Sequence, residues 1–349
     1  MAKRYQKLVS FLLIVFLVIV MGTVGCSPQQ EVTEQPQQGS DEKPAAEQPA
    51  DEPKIVLNAV SFLQPTTRQG QWFMHVIDTV HAEMGDKIEF NYLGGPDVIP
   101  GYEQTEALDK NTVDFAQISF SWLQDRYSEA QLSGLIADLS PADQRRLGVN
   151  DYFNEGLSAS NTNIVFLGMC GIGYPITLYT NFEVEKIEDL RGKMVRISPL
   201  HQIAAESLGM ETMTTSPAEL YSAVERKVVD AYYWPAFLSD YGLEEVTINR
   251  LYPGFGGSDA SLLINRKVWD KMSKEVQEQF QETINKAFDD YYNNIMAQEV
   301  EKEEKILEEH GIKTVVLPDE FRNIQIEGYR QMAIREFGPR GEEFFNKFF

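Results

Sequence analysis

Apolar and polar positions change places in short runs along most of the chain, and the spacing of those runs predicts strands alternating with helices. Residues 54–61, with Ile55, Val56, Leu57, Ala59 and Val60, read as a buried strand. Trp72, Phe73, Val76, Ile77 and Val80 then recur at three- and four-residue spacing, the period of one helix face. A strand over 87–93, a short helix over 102–110 and a strand over 113–118 follow. A helix over 151–160 and an apolar strand over 163–169 come next. After the turn 171–175, which suits either a hinge between lobes or a plain surface turn, the alternation resumes. It predicts a strand over 194–197, a helix over 201–208 and a strand over 228–235 that ends in aromatic residues. Between the last two, Ser216, Pro217 and Glu219 have the form of a capped helix start: a serine cap, proline in the first turn and a glutamate able to close a capping box. A strand over 261–265, a long helical region over 268–309, a strand over 313–316 and a helix over 319–337 complete the chain.

Strands alternating with helices imply an α/β protein with parallel β-α-β units, whose ligands sit at the carboxyl ends of the strands. That rule makes walls of a site out of the loops after the first and third strands. Thr66 and Arg68 lie in the first of these, Ser119 and Phe120 in the second, and Trp72 follows the first on its helix. The 349 residues are enough for two lobes of ordinary size.

The first 53 residues follow a different pattern. Lys3, Arg4 and Lys7 precede an apolar run over 11–21 and small residues up to Cys26. The run is shorter than the ~20 residues that cross a bilayer, so it reads as a secretory signal. Val24, Gly25 and Cys26 resemble a lipobox, which makes Cys26 the lipidated first residue of the mature protein; Thr23 departs from that motif's usual leucine. A plain secreted protein cut nearby, or an uncleaved anchor, are the alternatives. Residues 27–53 are rich in Gln, Glu and Pro, carry almost no large apolar side chain and read as a disordered tether reaching roughly 30 Å. Once Cys26 carries lipid, Cys170 is the only remaining thiol, with no internal disulfide to form, and reads as a small core residue.

Charge and motif content remove several function classes. A formal net charge of −22, with no basic stripe, excludes nucleic-acid binding. The 4 histidines are scattered without metal-ligand spacing, and no nucleophile elbow, P-loop or dinucleotide fingerprint occurs, so the chain does not read as an enzyme and implies no cofactor. Arg196 stands out instead. It lies among residues of a short apolar strand, where a cation needs an anionic partner. That partner is either an internal Asp or Glu or the carboxylate of a small molecule.

Three segments in order tip the balance: DLRGKMVRISP at 189–199, SPAELYSAVERKVVDAYYWP at 216–235 and SLLINRKVWDKM at 261–272. Together with NYLGGPDVIPGYEQTEALDKNTVDFAQIS at 91–119, they resemble the substrate-binding proteins of tripartite ATP-independent periplasmic (TRAP) transporters, over about residues 54–292. The resemblance implies a two-lobed α/β periplasmic-binding-protein-like fold with a hinge and long C-terminal helices. Residues 54–173 with 258–290 would form lobe one, and 174–257 with 291–349 lobe two. It implies an extracytoplasmic receptor that captures a small organic acid and delivers it to two membrane subunits; with the lipobox at Cys26 the receptor is expected to be lipid-anchored to a bacterial membrane, and a monomer is expected, with a dimer left open. Arg196 stands where the family grips the ligand carboxylate, and a planar guanidinium matches that group in a bidentate way.

Departures from the family narrow the ligand. The chain has Tyr232, Tyr233 and Trp234 where a polar wall is common, and Ile176 in the neighbourhood where some sugar-acid binders carry a second arginine. A monocarboxylate with an apolar or aromatic body is expected, contacted by Tyr174, Tyr233, Trp234 and Phe237, although each aromatic could equally be core. Asp259 stands near the position from which some members bridge the ligand through a metal ion, with a capped loop residue as the alternative. A lipoprotein sensor that presents the bound acid to a signalling partner would show the same sequence.

Overall fold

The computed structural model describes residues 54–170, 175–198, 201–234 and 237–349, all within the compact unit Glu52–Phe349. The signal, the tether and Cys26 lie outside the described residues, as do residues 171–174 of the glycine-rich turn.

The first third of the body follows the hydropathy pattern closely. Strand β1 (Ile55–Ser61) leads to helix α1 (Arg68–Met84), strand β2 (Ile88–Gly94), helix α2 (Gly101–Asp109) and strand β3 (Phe115–Ser119). Thr67 caps α1 by accepting from the Gly70 amide. Two 3-10 segments, Phe120–Leu123 and Ser128–Ile136, carry the chain to α3 (Pro141–Leu147), α4 (Val149–Ala159) and β4 (Ile164–Met169).

The second run is β5 (Ile176–Thr180), β6 (Met194–Ile197), α5 (Gln202–Ser207), β7 (Glu211–Thr214), α6 (Pro217–Glu225), β8 (Ala231–Trp234) and β9 (Asn249–Phe255). The start read at Ser216 is a capping box, with Glu219 reaching back to the Ser216 amide. The chain then returns as β10 (Ala260–Asn265). The helical region expected over 268–309 is interrupted: α7 (Arg266–Trp269) stops, and Ser273 caps a new helix, α8 (Lys274–Asp290). A π-helical turn, Tyr291–Met296, joins α8 to α9 (Ala297–Glu309). Strand β11 (Lys313–Val316) and helices α10 (Glu320–Phe337) and α11 (Pro339–Phe348) follow.

The strands form two sheets, β2-β1-β3-β10-β4 and β11-β9-β5-β8-β6-β7. They are mixed rather than wholly parallel, which corrects the expectation from alternation. Strand β10 runs antiparallel to both its neighbours, β3 and β4, and β5 runs antiparallel to β8 and β9. The reason lies in the connections. A parallel pair needs a crossover of a dozen residues or more, whereas β10 re-enters the first sheet straight from β9 of the second. The antiparallel entry brings the start of β10 beside the end of β3, where the Phe120 amide donates to the Asp259 carbonyl at 3.1 Å.

Helices cover both sheets. Trp72 of α1 meets Phe288 of α8 edge to face at 5.2 Å, and the Tyr291 hydroxyl donates to the Arg68 carbonyl at 2.8 Å. Helix α10 packs on α5, and α11 continues to the first sheet's side, where Phe344 and Phe348 pack on Tyr152 of α4. Among the described residues no helix is long and apolar enough to cross a membrane.

Candidate functional site

Strand β6 begins at a tight turn whose Gly192 adopts φ +69°, a left-handed conformation that a side chain disfavours, and donates its amide to the Gly209 carbonyl. The strand then runs parallel to both β7 and β8, with Arg196 in register with Tyr232. Because the strands are parallel, the carboxyl ends of β6 and β8 meet at one end of the sheet. That end carries Arg196, Ser198, Tyr233 and Trp234. In the first sheet the parallel ends of β1 and β3 do the same, presenting Phe62, Leu63, Ser119 and Trp122, with Ser258 and Asp259 arriving on the lead into β10. The two sets face one cavity of about 70 Å³. That is several times the ~10–15 Å³ a single water needs.

Arg196 is 3% exposed. Its Nε and Nη2 donate to the Thr215 carbonyl at 3.2 and 2.7 Å, and it makes no ion pair with a carboxylate among the described residues. Burial pulls its pKa down to about 10, against the opposing pull of Tyr102, Tyr241 and Glu219. An internal acidic partner, one of the two readings of this residue, is absent among the described residues. The guanidinium carbon sits 5.1 Å from the centroid of the Trp234 ring, so the charge rests on an aromatic face. Trp234 in turn meets Tyr241 edge to face at 5.1 Å.

Tyr233 is held from behind, its hydroxyl donating to Gln325 Oε1 of α10 at 2.6 Å. Its ring stacks on His201 at 5.0 Å. Burial, and then the nearby Arg196 charge, lower the His201 pKa to about 3, so the imidazole is neutral at physiological pH. Its Nδ1 lies 3.1 Å from the Ser198 hydroxyl.

On the opposite wall, Asp259 is a buried carboxylate surrounded by donors. Its Oδ1 accepts from the Ser119 hydroxyl at 2.6 Å, and its Oδ2 from the Ser121 amide at 2.7 Å and the Ser133 hydroxyl at 2.9 Å. These donors do not fit a cation site, and no group of three or more His, Cys, Asp or Glu among the described residues is arranged to hold a metal ion. Asp259 ties the start of β10 to the loop after β3, as a capped loop residue does.

The structure thus brings Arg196, Ser119, Tyr233, Trp234 and Asp259 to one cavity. Other candidates go elsewhere. Thr66 is exposed in the loop before α1. Arg68 pairs with Asp240 at 2.8 Å and Glu303 at 2.7 Å, under the ring of Phe237 at 4.3 Å, which takes both Arg68 and Phe237 out of the lining. Trp72 packs on Phe288, and Phe120 packs with Phe153 and Phe166 in the core. Cys170 is buried, as a core residue is. Tyr174 lies outside the described residues. The lining also holds Phe62, Leu63, Gln69, Ile176, Ser198, His201, Pro217, Tyr241 and Ser258, which the sequence did not nominate as contacts. Apart from Ile176, which opens β5, and Tyr241, in the turn before the 3-10 segment Leu243–Val246, they share a position after a strand end or at a helix start, which marks a neighbourhood but not which side chain turns inward.

Residues 60–334 match the family model described as DctP, bacterial extracellular solute-binding protein, family 7. The chain belongs to this family. Membership agrees with the TRAP resemblance carried by the sequence motifs, and the family consists of solute-binding proteins rather than enzymes. A curated relative, the monocarboxylate 2-oxoacid-binding periplasmic protein of Nostoc sp., is 24% identical over 193 residues, 53% of this chain; the match spans about half of that relative's length (52%). Among solved structures, a TRAP solute-binding protein from a marine metagenome, specific for pyroglutamate, aligns with TM-score 0.71 at 17% identity, covering 84% of this chain and 98% of its own. A TRAP periplasmic solute-binding protein from Desulfovibrio salexigens with bound orotic acid gives 0.73 at 14% identity, covering 84% and 97%. At such identities the likeness speaks for the two-lobed α/β fold.

Proposed function

We propose that the protein is the extracytoplasmic solute receptor of a TRAP transporter. It captures a small monocarboxylate with an apolar or aromatic body between its two sheets and presents it to the membrane subunits. One observation carries the reading: Arg196 is buried at the cavity wall with no carboxylate partner among the described residues. An unpaired buried cation costs several kcal/mol, a cost that a ligand carboxylate would offset. Arg196 is the sole cation among the described residues of the lining, which also holds Trp234, Tyr233, Phe62 and Ile176, a surface suited to one carboxylate on an apolar body. The monocarboxylate ligand in the name of the Nostoc relative supports the same class.

The reading includes lipid attachment at Cys26, the tether over 27–53 and two lobes, 54–173 with 258–290 and 174–257 with 291–349, divided at the links from β4 to β5 and from β9 to β10 and again at the end of α8. No metal is assigned a part. The test is a thermal-shift screen of small organic acids against the purified protein, since a ligand that binds only the folded state raises the melting temperature by mass action. Monocarboxylates with apolar or ring bodies should give the shifts. Shifts confined to uncharged solutes would contradict the reading.

A further inference from the structure

With Arg196 given to a carboxylate, the cavity wall still holds polar atoms that nothing among the described residues satisfies. Gln69 Nε2, Trp122 Nε1 and His201 Nε2 are each buried and without a hydrogen-bond partner among the described residues, and all three residues line the cavity. They come from three different elements: the first turn of α1, the 3-10 segment after β3, and the residue that opens α5. Two of the three are donors only. The third is a donor when the Ser198 hydroxyl donates to His201 Nδ1.

The carboxylate of the same wall, by contrast, already accepts three protein donors, from Ser119, Ser121 and Ser133, and the Gln69 backbone carbonyl accepts from Gln117 Nε2 at 3.1 Å. The buried polar atoms left without a partner on this wall, among the described residues, are therefore these three nitrogens. A buried donor left unpaired is unfavourable, so a ligand that supplies an acceptor gains over one that does not. His201 is neutral beside Arg196, so it adds a hydrogen bond without a second positive charge. That suits a neutral oxygen better than a second carboxylate.

We infer that Gln69, Trp122 and His201 form a second polar pole, which reads an acceptor oxygen that the ligand carries apart from its carboxylate. The receptor on this account selects acids bearing a carbonyl oxygen over the same acids with a methylene in its place. The inference rests on the carboxylate grip of Arg196 and specifies what the rest of the ligand must present.

Isothermal titration of the purified protein with matched pairs tests it, using 2-oxobutyrate against butyrate, and 3-oxocyclopentanecarboxylate against cyclopentanecarboxylate. The oxygen-bearing member of at least one pair should bind about tenfold tighter or better, because a site built to hydrogen-bond an oxygen rejects the analogue that lacks it. Trp122→Phe keeps an aromatic ring to pack on Phe62 and Tyr102 but removes the N–H, and Gln69→Met removes the amide at similar length. Either change should shrink the preference, with melting curves confirming that the variants fold. Equal binding of both members, lost together in Arg196→Met, would overturn the second pole and leave the carboxylate grip standing. A preference that survives both variants would also overturn it. Failure of every acid to bind would overturn both readings.

Discussion

The guanidinium of Arg196 lies over the indole of Trp234 at 5.1 Å, the two side chains coming from neighbouring parallel strands that end at the same cavity. The contact gives a buried cation an electron-rich face on one side while the carbonyl of Thr215 takes its Nε and Nη2. A partly desolvated contact of this type contributes roughly 1–2 kcal/mol. It also fixes the plane of the fork that would receive a carboxylate.

Removing the indole should therefore loosen the grip. Trp234→Ala is expected to weaken monocarboxylate binding about tenfold or more, and Trp234→Phe by less, because a phenyl face retains part of the attraction. Titration calorimetry on the two variants checks the order.

Arg68 leads to a prediction about stability. Its side chain joins Asp240 and Glu303, and Glu303 also accepts from the Ser239 amide at 3.1 Å, so α1, the segment after β8 and α9 meet at one buried cluster. Burial lowers the Arg68 pKa, but the two carboxylates outweigh it and the net shift is upward. Arg68→Met would leave two buried carboxylates facing each other. Urea unfolding should show a loss of about 3–5 kcal/mol, the scale for breaking a buried pair from one side. Changing Asp240 and Glu303 to their amides in the same chain should recover part of it.

His201 makes the fold sensitive to acid. Its folded-state pKa of about 3 lies below the 6.5 of an ordinary imidazole, so between those values the unfolded chain binds a proton that the folded chain refuses. Stability should fall as the pH drops through this window, by on the order of 1 kcal/mol per pH unit. Above pH 6.5 the contribution is flat. Denaturation curves at pH 7 and pH 5 for wild type and His201→Gln should differ in slope, with the variant the less acid-sensitive.

Both oxygens of Asp259 accept protein donors, which predicts indifference to divalent cations. EDTA should leave the ligand-induced thermal shift unchanged, whereas Asp259→Ala should cost about 2–4 kcal/mol of stability by stranding the hydroxyls of Ser119 and Ser133 and the amide of Ser121.

Much of this architecture was legible in the sequence because amphipathic periodicity and capping are local signals. The spacing from Trp72 to Val80, the capping box at Ser216 and the apolar strand around Arg196 all appear where the pattern put them. Strand β5, the edge strand β7, strand β9 and helices α3 and α11 escaped. β5 and β9 lie beside the links between the sheets, and their direction depends on pairing partners distant in sequence. The site shows the same division. Arg196 was legible as a charge in an apolar strand, whereas the sequence marks Arg68 only as a wall residue of a polar loop; the fold reveals that Asp240 and Glu303 pair with Arg68, while no carboxylate among the described residues forms an ion pair with Arg196. Among the aromatics, the sequence offers both Trp234 and Phe120 as candidates, with Trp234 put forward as a ligand contact; β8 brings the first to the cavity, and the 3-10 turn after β3 buries the second.

The most direct measurement is a paired one on Arg196→Met: titration with the tightest-binding monocarboxylate of the screen, and urea unfolding of the unliganded protein. The account predicts that binding falls by about a hundredfold or more, since a charge-assisted bidentate contact is lost. It also predicts that the unliganded fold keeps or gains stability, because the substitution removes a buried cation that has no ion-pair partner among the described residues. Retained binding, or a fold weakened by several kcal/mol, would contradict it and make Arg196 a structural residue.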